Sequence, residues 1–184
     1  MLEGAWEFAH GREEFVSAEG IIGYRGNNAR EKKWYNHMPA IEIRDKIGNS
    51  IWNKYFKFCV IRNPFDKLVS GFFFKKGKME GKDLIETFRS WIKNGGFIND
   101  RDKYLVNGWI CVDYFIKFEN LKNDIEHVCN LLNIPFEPER LPKLKAGIRD
   151  RTIPLRDFYD EETIQIVYAR YKFELEYFNY SMPE

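Results

Sequence analysis

Apolar and polar residues recur along the chain with the spacing of short strands followed by helices. Residues 56–61 form an apolar run that predicts a short buried strand. A helix predicted at 121–132 carries one apolar face suited to packing on a sheet, formed by Leu121, Ile125, Val128 and Leu132. Other helices are predicted at 39–47, 64–74, 83–93 and 161–178. The alternation predicts the α/β class, with a mostly parallel central sheet flanked by helices.

Length and composition fit one globular domain. A chain of 184 residues can bury a sizeable core, and we predict a single domain over residues 1–184. The aromatic content of 17% supplies that core and also suits the walls of a binding site. The net charge of +1 argues against nucleic acid as a partner, because domains that bind it usually carry a strong basic excess.

The cysteines and the first residues of the chain indicate the cellular compartment of the protein. Cys59, Cys111 and Cys129 lack the spacing of a metal site or a disulfide framework, so we predict reduced thiols, with Cys59 and Cys129 buried, and no metal. The first residues show neither the basic nor the apolar region of a signal peptide, and no run reaches the length of a membrane span. A cytoplasmic location is predicted, with the Golgi lumen as the alternative if an N-terminal anchor is missing.

The junction after the predicted strand at 56–61 is the most informative local pattern. The strand ends at Arg62, and Asn63 and Pro64 are well suited to cap and begin a helix. A helix N-terminus at a strand end can bind an anion, and the Arg62 guanidinium matches a phosphate. Ser70 lies about two turns along the same helical face. Two interpretations stay open on spacing alone: a phosphate site, or an ordinary strand–helix unit with a solvated arginine.

The segment at 62–72, Arg-Asn-Pro-Phe-Asp-Lys-Leu-Val-Ser-Gly-Phe, resembles the 3′-phosphate-binding segment of sulfotransferases. These enzymes use 3′-phosphoadenosine 5′-phosphosulfate (PAPS) as sulfonate donor. The resemblance implies that Arg62 and Ser70 bind the 3′-phosphate of the nucleotide. Lys67 stands where the family more often has arginine, which keeps the charge but loses the forked set of donors.

Two later blocks extend the resemblance. Residues 113–121, Asp-Tyr-Phe-Ile-Lys-Phe-Glu-Asn-Leu, resemble the family's later strand, and residues 158–180 resemble the C-terminal part of its carbohydrate-type branch. That branch includes heparan sulfate 2-O-sulfotransferases and bacterial relatives. The resemblance implies a P-loop-like three-layer sandwich and transfer of sulfonate from PAPS to an acceptor hydroxyl on a carbohydrate, without a metal.

A general base is the next requirement, and histidine is the first candidate because its pKa lies near neutrality. His127 lies beside the apolar face of a predicted helix and is expected to be exposed, and His10 has no supporting pattern. His37 directly precedes a predicted helix and lies 25 residues before Arg62, a spacing similar to that of the catalytic histidine in 2-O-sulfotransferases. We therefore predict His37 as the base, with Glu42 as the alternative.

Segment 140–156 is strongly basic, which usually means a solvated loop. Its position between two predicted helices resembles the late basic loop of sulfotransferases, which folds over PAPS. Lys145 and Arg149 are the predicted nucleotide contacts, although the spacing does not separate them from their basic neighbours.

The N-terminal part departs from the family. Residues 1–33 contain no loop of the Lys-Gly-Thr/Ser type that holds the 5′-phosphosulfate, and no strand pattern before it. The expectation is an N-terminally incomplete domain that lacks the first strand and this loop and is a poor catalyst as written. Its unpaired sheet edge should leave it either marginally stable or associated as a homo-oligomer. The alternative function is a non-catalytic module that binds a PAP-like nucleotide or a sulfated glycan. A P-loop kinase is disfavoured because Gly-x-x-x-x-Gly-Lys-Ser/Thr is absent.

Overall fold

The computed structural model describes residues 13–18, 20–76, 84–141 and 152–183. The strands in these ranges are β1 (Phe15–Val16), β2 (Ile21–Ile22), β3 (Phe58–Ile61), β4 (Leu105–Val106), β5 (Trp109–Ile110) and β6 (Tyr114–Lys117). The α-helices are α1 (Ala40–Ile47), α2 (Asn49–Lys54), α3 (Pro64–Lys76), α4 (Leu84–Lys93), α5 (Leu121–Leu131), α6 (Glu161–Arg170) and α7 (Lys172–Tyr177). Within them, no helix is long and apolar enough to cross a membrane.

The described residues divide into two compact units. The first takes residues up to 57 together with 100–113, and the second takes 58–99 together with the residues from 114 onwards. In the first unit, β1 pairs with β2 and β4 with β5, both antiparallel. Asn107 and Gly108 make the turn between β4 and β5 with positive φ angles, as a tight hairpin requires. The prediction of a single domain over 1–184 stays a prediction.

The second unit is built on a parallel pair of strands. β3 and β6 pair in register from Phe58 opposite Tyr114 to Ile61 opposite Lys117. Tyr114 contacts His127 of α5, with ring centroids 5.1 Å apart. The next residue, Phe115, contacts Phe178 just after α7 at 4.8 Å. Because successive strand residues point to opposite faces, helical segments contact both faces of β6. Phe58 and Val60 of β3 are 49% and 47% exposed, so the prediction of a buried strand is wrong at these two residues.

The α/β class and the parallel pairing of strands are thus confirmed. The sheet is smaller than the sequence predicted, since within the described ranges β3 and β6 form a two-stranded parallel sheet and the remaining strands pair antiparallel. The short hairpin turn between β4 and β5 enforces the antiparallel direction there. The three-layer P-loop-like sandwich stays a prediction.

An aromatic cluster forms the core of the second unit. Phe88 of α4 lies at its centre and contacts the rings of Phe72, Phe158 and Tyr159 at centroid distances of 5.4, 5.6 and 5.0 Å, all edge to face. The Tyr159 hydroxyl donates a 2.7 Å hydrogen bond to the carbonyl oxygen of Phe65 in the first turn of α3. The cluster therefore holds α3, the helix that begins at the predicted anion site, against α4 and the segment that precedes α6.

The helices differ from prediction most clearly in three places, the first being α2 at Asn49–Lys54, which was not predicted. The helix predicted at 161–178 is broken at Tyr171, whose buried hydroxyl accepts the N–H of Ile98 at 2.9 Å and donates to its carbonyl oxygen at 2.8 Å. On α5, the predicted apolar face is wrong at its end, because Leu132 is exposed while Asp124 is buried. Asp124 is stabilised there by the N–H of Lys117 and the amide of Asn120.

The cysteines are free thiols, as predicted. Cys59, Cys111 and Cys129 are each half-buried, so the expectation of full burial for Cys59 and Cys129 is wrong. Partial burial raises the pKa of Cys111 above its ordinary value.

Candidate functional site

The candidate site lies where the two parallel strands end. Beyond the last strand pair, Ile61 with Lys117, the next two residues of each chain segment still face one another. Arg62 lies against Phe118, and the N–H of Asn63 donates to Glu119 at 2.7 Å. The carboxyl ends of parallel strands are the edge at which α/β folds place their ligands.

Asn63 caps α3, as the sequence predicts. Its side-chain oxygen accepts the N–H of Phe65 at 3.0 Å, and Pro64 occupies the first helical position. The Asn63 side chain is buried, and its amide nitrogen donates to the carbonyl oxygen of Ser181 at 2.8 Å. The cap thus fixes both the start of α3 and the C-terminal segment.

Arg62 is held by contacts within this junction. Its Nε lies 2.6 Å and its Nη2 2.5 Å from Oδ2 of Asp66, one turn into α3. Its guanidinium carbon lies 4.3 Å from the centroid of the Phe118 ring. The side chains of Arg62 and Asp66 are 22% and 23% exposed, so this ion pair is partly shielded from water. The sequence predicts Arg62 as a site residue but predicts neither of its two partners.

Ser70 lies on α3 four residues beyond Asp66, which places the two on one face of the helix. It is half-buried, and its hydroxyl forms no hydrogen bond with the part of the chain that the structure describes. The structure therefore brings Arg62 and Ser70 to the same side of α3 through Asp66. A hydroxyl in this position can donate to a bound anion.

Glu119 connects the three sequence blocks that resemble sulfotransferases. Its Oε1 accepts the N–H of Asn63 from the first block, and its Oε2 accepts the hydroxyl of Tyr180 from the third at 2.9 Å. Burial, followed by the hydrogen bond to Glu119, raises the pKa of Tyr180 well above its ordinary value. Glu119 is thus a structural acceptor that orients the junction.

Two lysines near the junction are engaged with aromatic rings and backbone. The Lys67 ammonium lies 4.9 Å from the ring centroid of Tyr171. Lys117 donates to the carbonyl oxygen of Phe178 at 3.2 Å and lies 5.4 Å from the ring centroid of Tyr180. These contacts give both lysines a role in packing the C-terminal helices.

His37 belongs to the first unit. It is exposed and follows a segment that is tied to Tyr24 by two backbone hydrogen bonds of 2.9 Å, from Tyr24 to Trp34 and from Asn36 to Tyr24. Gly23 permits this close approach, because a Cβ there would lie 2.4 Å from the carbonyl carbon of Tyr35. His37 has a φ of 58°, which non-glycine residues rarely adopt. Such backbone strain is frequent at functional positions.

Glu42, the alternative base, lies in the first turn of α1. Its carboxylate accepts the Tyr35 hydroxyl at 2.7 Å. Partial burial and then this hydrogen bond raise the pKa of Tyr35 above its ordinary value. The Glu42 carboxylate is therefore already hydrogen-bonded to Tyr35, which lies two residues before His37.

The remaining predicted positions lie outside the described residues or at exposed positions. Lys145 and Arg149 lie outside the described residues, as does His10. Arg156 at the end of the basic segment is exposed, and so is His127, as predicted. Among the residues that the structure describes, no group of three or more His, Cys, Asp or Glu side chains could hold a metal ion.

Comparisons with known proteins identify the family. The family model described as "Sulfotransferase family" matches residues 8–181. The chain therefore belongs to the sulfotransferase family. An uncharacterised protein of Archaeoglobus fulgidus is 32% identical over 106 residues, which cover 54% of this chain and 86% of that relative. No solved structure matches the chain.

The residues that sequence reasoning missed had a detectable signal. Arg62 and Asp66 are spaced i, i+4, the separation of an ion pair on a helix. Phe118 directly follows the second strand, just as Arg62 follows the first, and parallel strands bring such positions together. The helical spacing would have found the Asp66 contact, and reading the two strand ends as one edge would have found the Phe118 contact.

Proposed function

We propose that this protein is a PAPS-dependent sulfotransferase whose nucleotide 3′-phosphate binds at the junction of β3 and α3. The observation that carries the proposal is Arg62. It stands at the carboxyl end of a parallel strand, beside a capped helix start, with Ser70 on the same side of α3. Fixed donors of this kind match the oxygens of a phosphate. Lys145 and Arg149 are proposed as further nucleotide contacts from the basic segment.

Within this proposal, His37 acts on the acceptor. The acceptor hydroxyl oxygen forms a bond to sulfur, the bond from sulfur to the 5′-phosphate oxygen breaks, and 3′-phosphoadenosine 5′-phosphate (PAP) leaves with the electron pair. The acceptor proton goes to the imidazole of His37. The exposed position of His37 on a loop before α1 suits access by a large substrate. Glu42 is the second choice, since its carboxylate already holds Tyr35.

We propose a carbohydrate as the acceptor, supported by the resemblance of residues 113–121 and 158–180 to the carbohydrate-type branch. No metal enters the proposed reaction, because the transferred sulfonate carries less negative charge than a phosphoryl group. The cytoplasm is the proposed location, supported by the three free thiols, with the Golgi lumen as the alternative. Self-association as a homo-oligomer also stays a prediction.

The test is transfer of labelled sulfonate. The protein is incubated with PAPS labelled in its sulfonate group and a panel of hydroxyl-bearing acceptors, with glycans and small phenols as the contrasting classes. A second form includes any coding sequence found in frame before Met1. The proposal predicts labelled glycan and PAP in equal amounts. PAP binding without transfer by either form would instead support the non-catalytic binding module.

A further inference from the structure

The guanidinium of Arg62 is fixed from two directions by residues of its own unit. Asp66 accepts from Nε and Nη2 through one carboxylate oxygen, at 2.6 and 2.5 Å. The guanidinium carbon also lies over the Phe118 ring, 4.3 Å from the ring centroid. An arginine side chain normally samples many rotamers, so two such contacts restrict both its direction and its plane.

The contact with Asp66 uses the N–H donors on only one edge of the Arg62 guanidinium group. Nε and Nη2 point their N–H groups along one side of the guanidinium, whereas Nη1 and the second N–H of Nη2 point along its end. Within the described ranges, Nη1 of Arg62 has no hydrogen-bond partner. The end edge thus keeps two parallel N–H donors, the arrangement that binds two oxygens of a phosphate.

We propose that Asp66 is a positioning residue which, with Phe118, holds Arg62 so that its end edge meets the 3′-phosphate of the nucleotide. This inference rests on the proposed function, because it assumes that Arg62 binds that phosphate. Asp66 acts through Arg62 and does not touch the nucleotide. Preorganisation of this kind raises affinity because less side-chain freedom is lost on binding.

The alternative is that Asp66 competes with the phosphate for Arg62 and must release Arg62 before a phosphate can bind. Three observations favour positioning. Asp66 uses the side edge and not the end edge, it lies in the first turn of α3 where the helix dipole favours a carboxylate, and the pair is partly shielded. A phosphate at the end edge therefore leaves the Asp66 contact in place.

The experiment measures affinity by calorimetry for two nucleotides, PAP and adenosine 5′-phosphate, which lacks the 3′-phosphate. Asp66→Asn should weaken PAP binding about fivefold or more, since the amide oxygen is a poorer acceptor for Arg62, and leave adenosine 5′-phosphate within about twofold. Phe118→Leu should weaken PAP binding in the same direction but less. In an Arg62→Ala background, Asp66→Asn should have no further effect on PAP binding. Glu126→Gln, at an exposed position of α5, is the matched control for loss of one negative charge.

Any one of four results would overturn the inference. PAP binding that tightens in Asp66→Asn identifies a competing anion, and unchanged PAP binding shows that Asp66 does not position Arg62. Equal weakening of both nucleotides, with a lower melting temperature, shows a structural role only. If the unmodified protein binds PAP no better than adenosine 5′-phosphate, the proposed 3′-phosphate site itself fails, and this inference fails with it.

Discussion

The backbone N–H of Asn63 donates a 2.7 Å hydrogen bond to the carboxylate of Glu119, across 56 residues of sequence. The same carboxylate accepts the hydroxyl of Tyr180, and Asn63 donates to the backbone of Ser181. The start of α3 is therefore fixed by the second parallel strand and by the C-terminal segment together. A site at the start of α3 therefore depends on the helix itself, on the second parallel strand and on the C-terminal segment.

Loss of the Glu119 carboxylate should destabilise the second unit. Glu119→Ala leaves the part-buried N–H of Asn63 without its acceptor, which costs about 2 kcal/mol of unfolding free energy. Tyr180→Phe removes one hydrogen bond and should cost about 1 kcal/mol. Denaturant unfolding of each variant and of the double variant measures these values, and the two losses should not add.

Glu126→Gln serves as the control for Glu119→Ala, because Glu126 is exposed on α5 and should change stability by less than about 0.5 kcal/mol. Stability in Glu119→Ala equal to that of the control would show that the Asn63–Glu119 bond does not hold the junction.

His37→Asn tests the proposed base without disturbing the backbone. Asparagine tolerates the φ of 58° better than alanine does, so the variant should fold like the unmodified protein. Sulfonate transfer by an active form should fall about 100-fold or more, while PAP affinity stays within about twofold. The measurements are initial rates with labelled PAPS and calorimetry with PAP.

Glu42→Gln is the comparison for His37→Asn. If His37→Asn keeps most of its activity and Glu42→Gln loses it, the base is Glu42 and the assignment of His37 is wrong. Loss of activity in both variants with unchanged PAP binding would point to cooperation between them on the acceptor side.

Ionisation of Asp160 should make the free energy of unfolding depend on pH in the acid range. The Thr163 hydroxyl, followed by the Thr163 N–H and the charges of Lys93 and Arg89, holds the pKa of Asp160 below its ordinary value against the effect of burial. A lowered folded-state pKa gives stability that is present above the unfolded pKa of about 3.9 and is lost as the pH falls through the folded pKa.

Asp160→Asn keeps a good N-cap but cannot ionise. At pH 7 it should be less stable than the unmodified protein by about 0.5–1 kcal/mol, because it loses the charge that the α6 dipole favours. The difference should shrink as the pH falls below the unfolded pKa of about 3.9 and through the lower folded-state pKa, measured by denaturant unfolding across pH. A difference that is constant from pH 7 to pH 2.5 would contradict this account.

Local chemistry made the start of α3 predictable. Asn63 and Pro64 each suit one position at a helix start, and the structure places both there. The apolar run likewise identified β3 as a strand, although it begins two residues later than predicted and its residues Phe58 and Val60 are exposed rather than buried. These features depend on neighbouring residues only, so sequence patterns identify them.

Long-range contacts explain what the sequence did not show. At Tyr171, where the predicted helix is broken, the side-chain hydroxyl bonds to the backbone of Ile98, 73 residues earlier in the chain. The burial of Asp124 follows from its bond to Lys117 at the end of β6, and the two partners of Arg62 follow from strand pairing and one helical turn. Each depends on which elements meet in space, which periodicity alone does not determine.

The most direct test of the central claim is a calorimetric comparison of PAP with adenosine 5′-phosphate for the unmodified protein, Arg62→Ala and Ser70→Ala. The account predicts that Arg62→Ala loses about 2–3 kcal/mol of PAP binding free energy and Ser70→Ala about 1 kcal/mol, while binding of adenosine 5′-phosphate barely changes. Equal losses for both nucleotides in a folded Arg62→Ala protein would contradict the claim that Arg62 binds the 3′-phosphate.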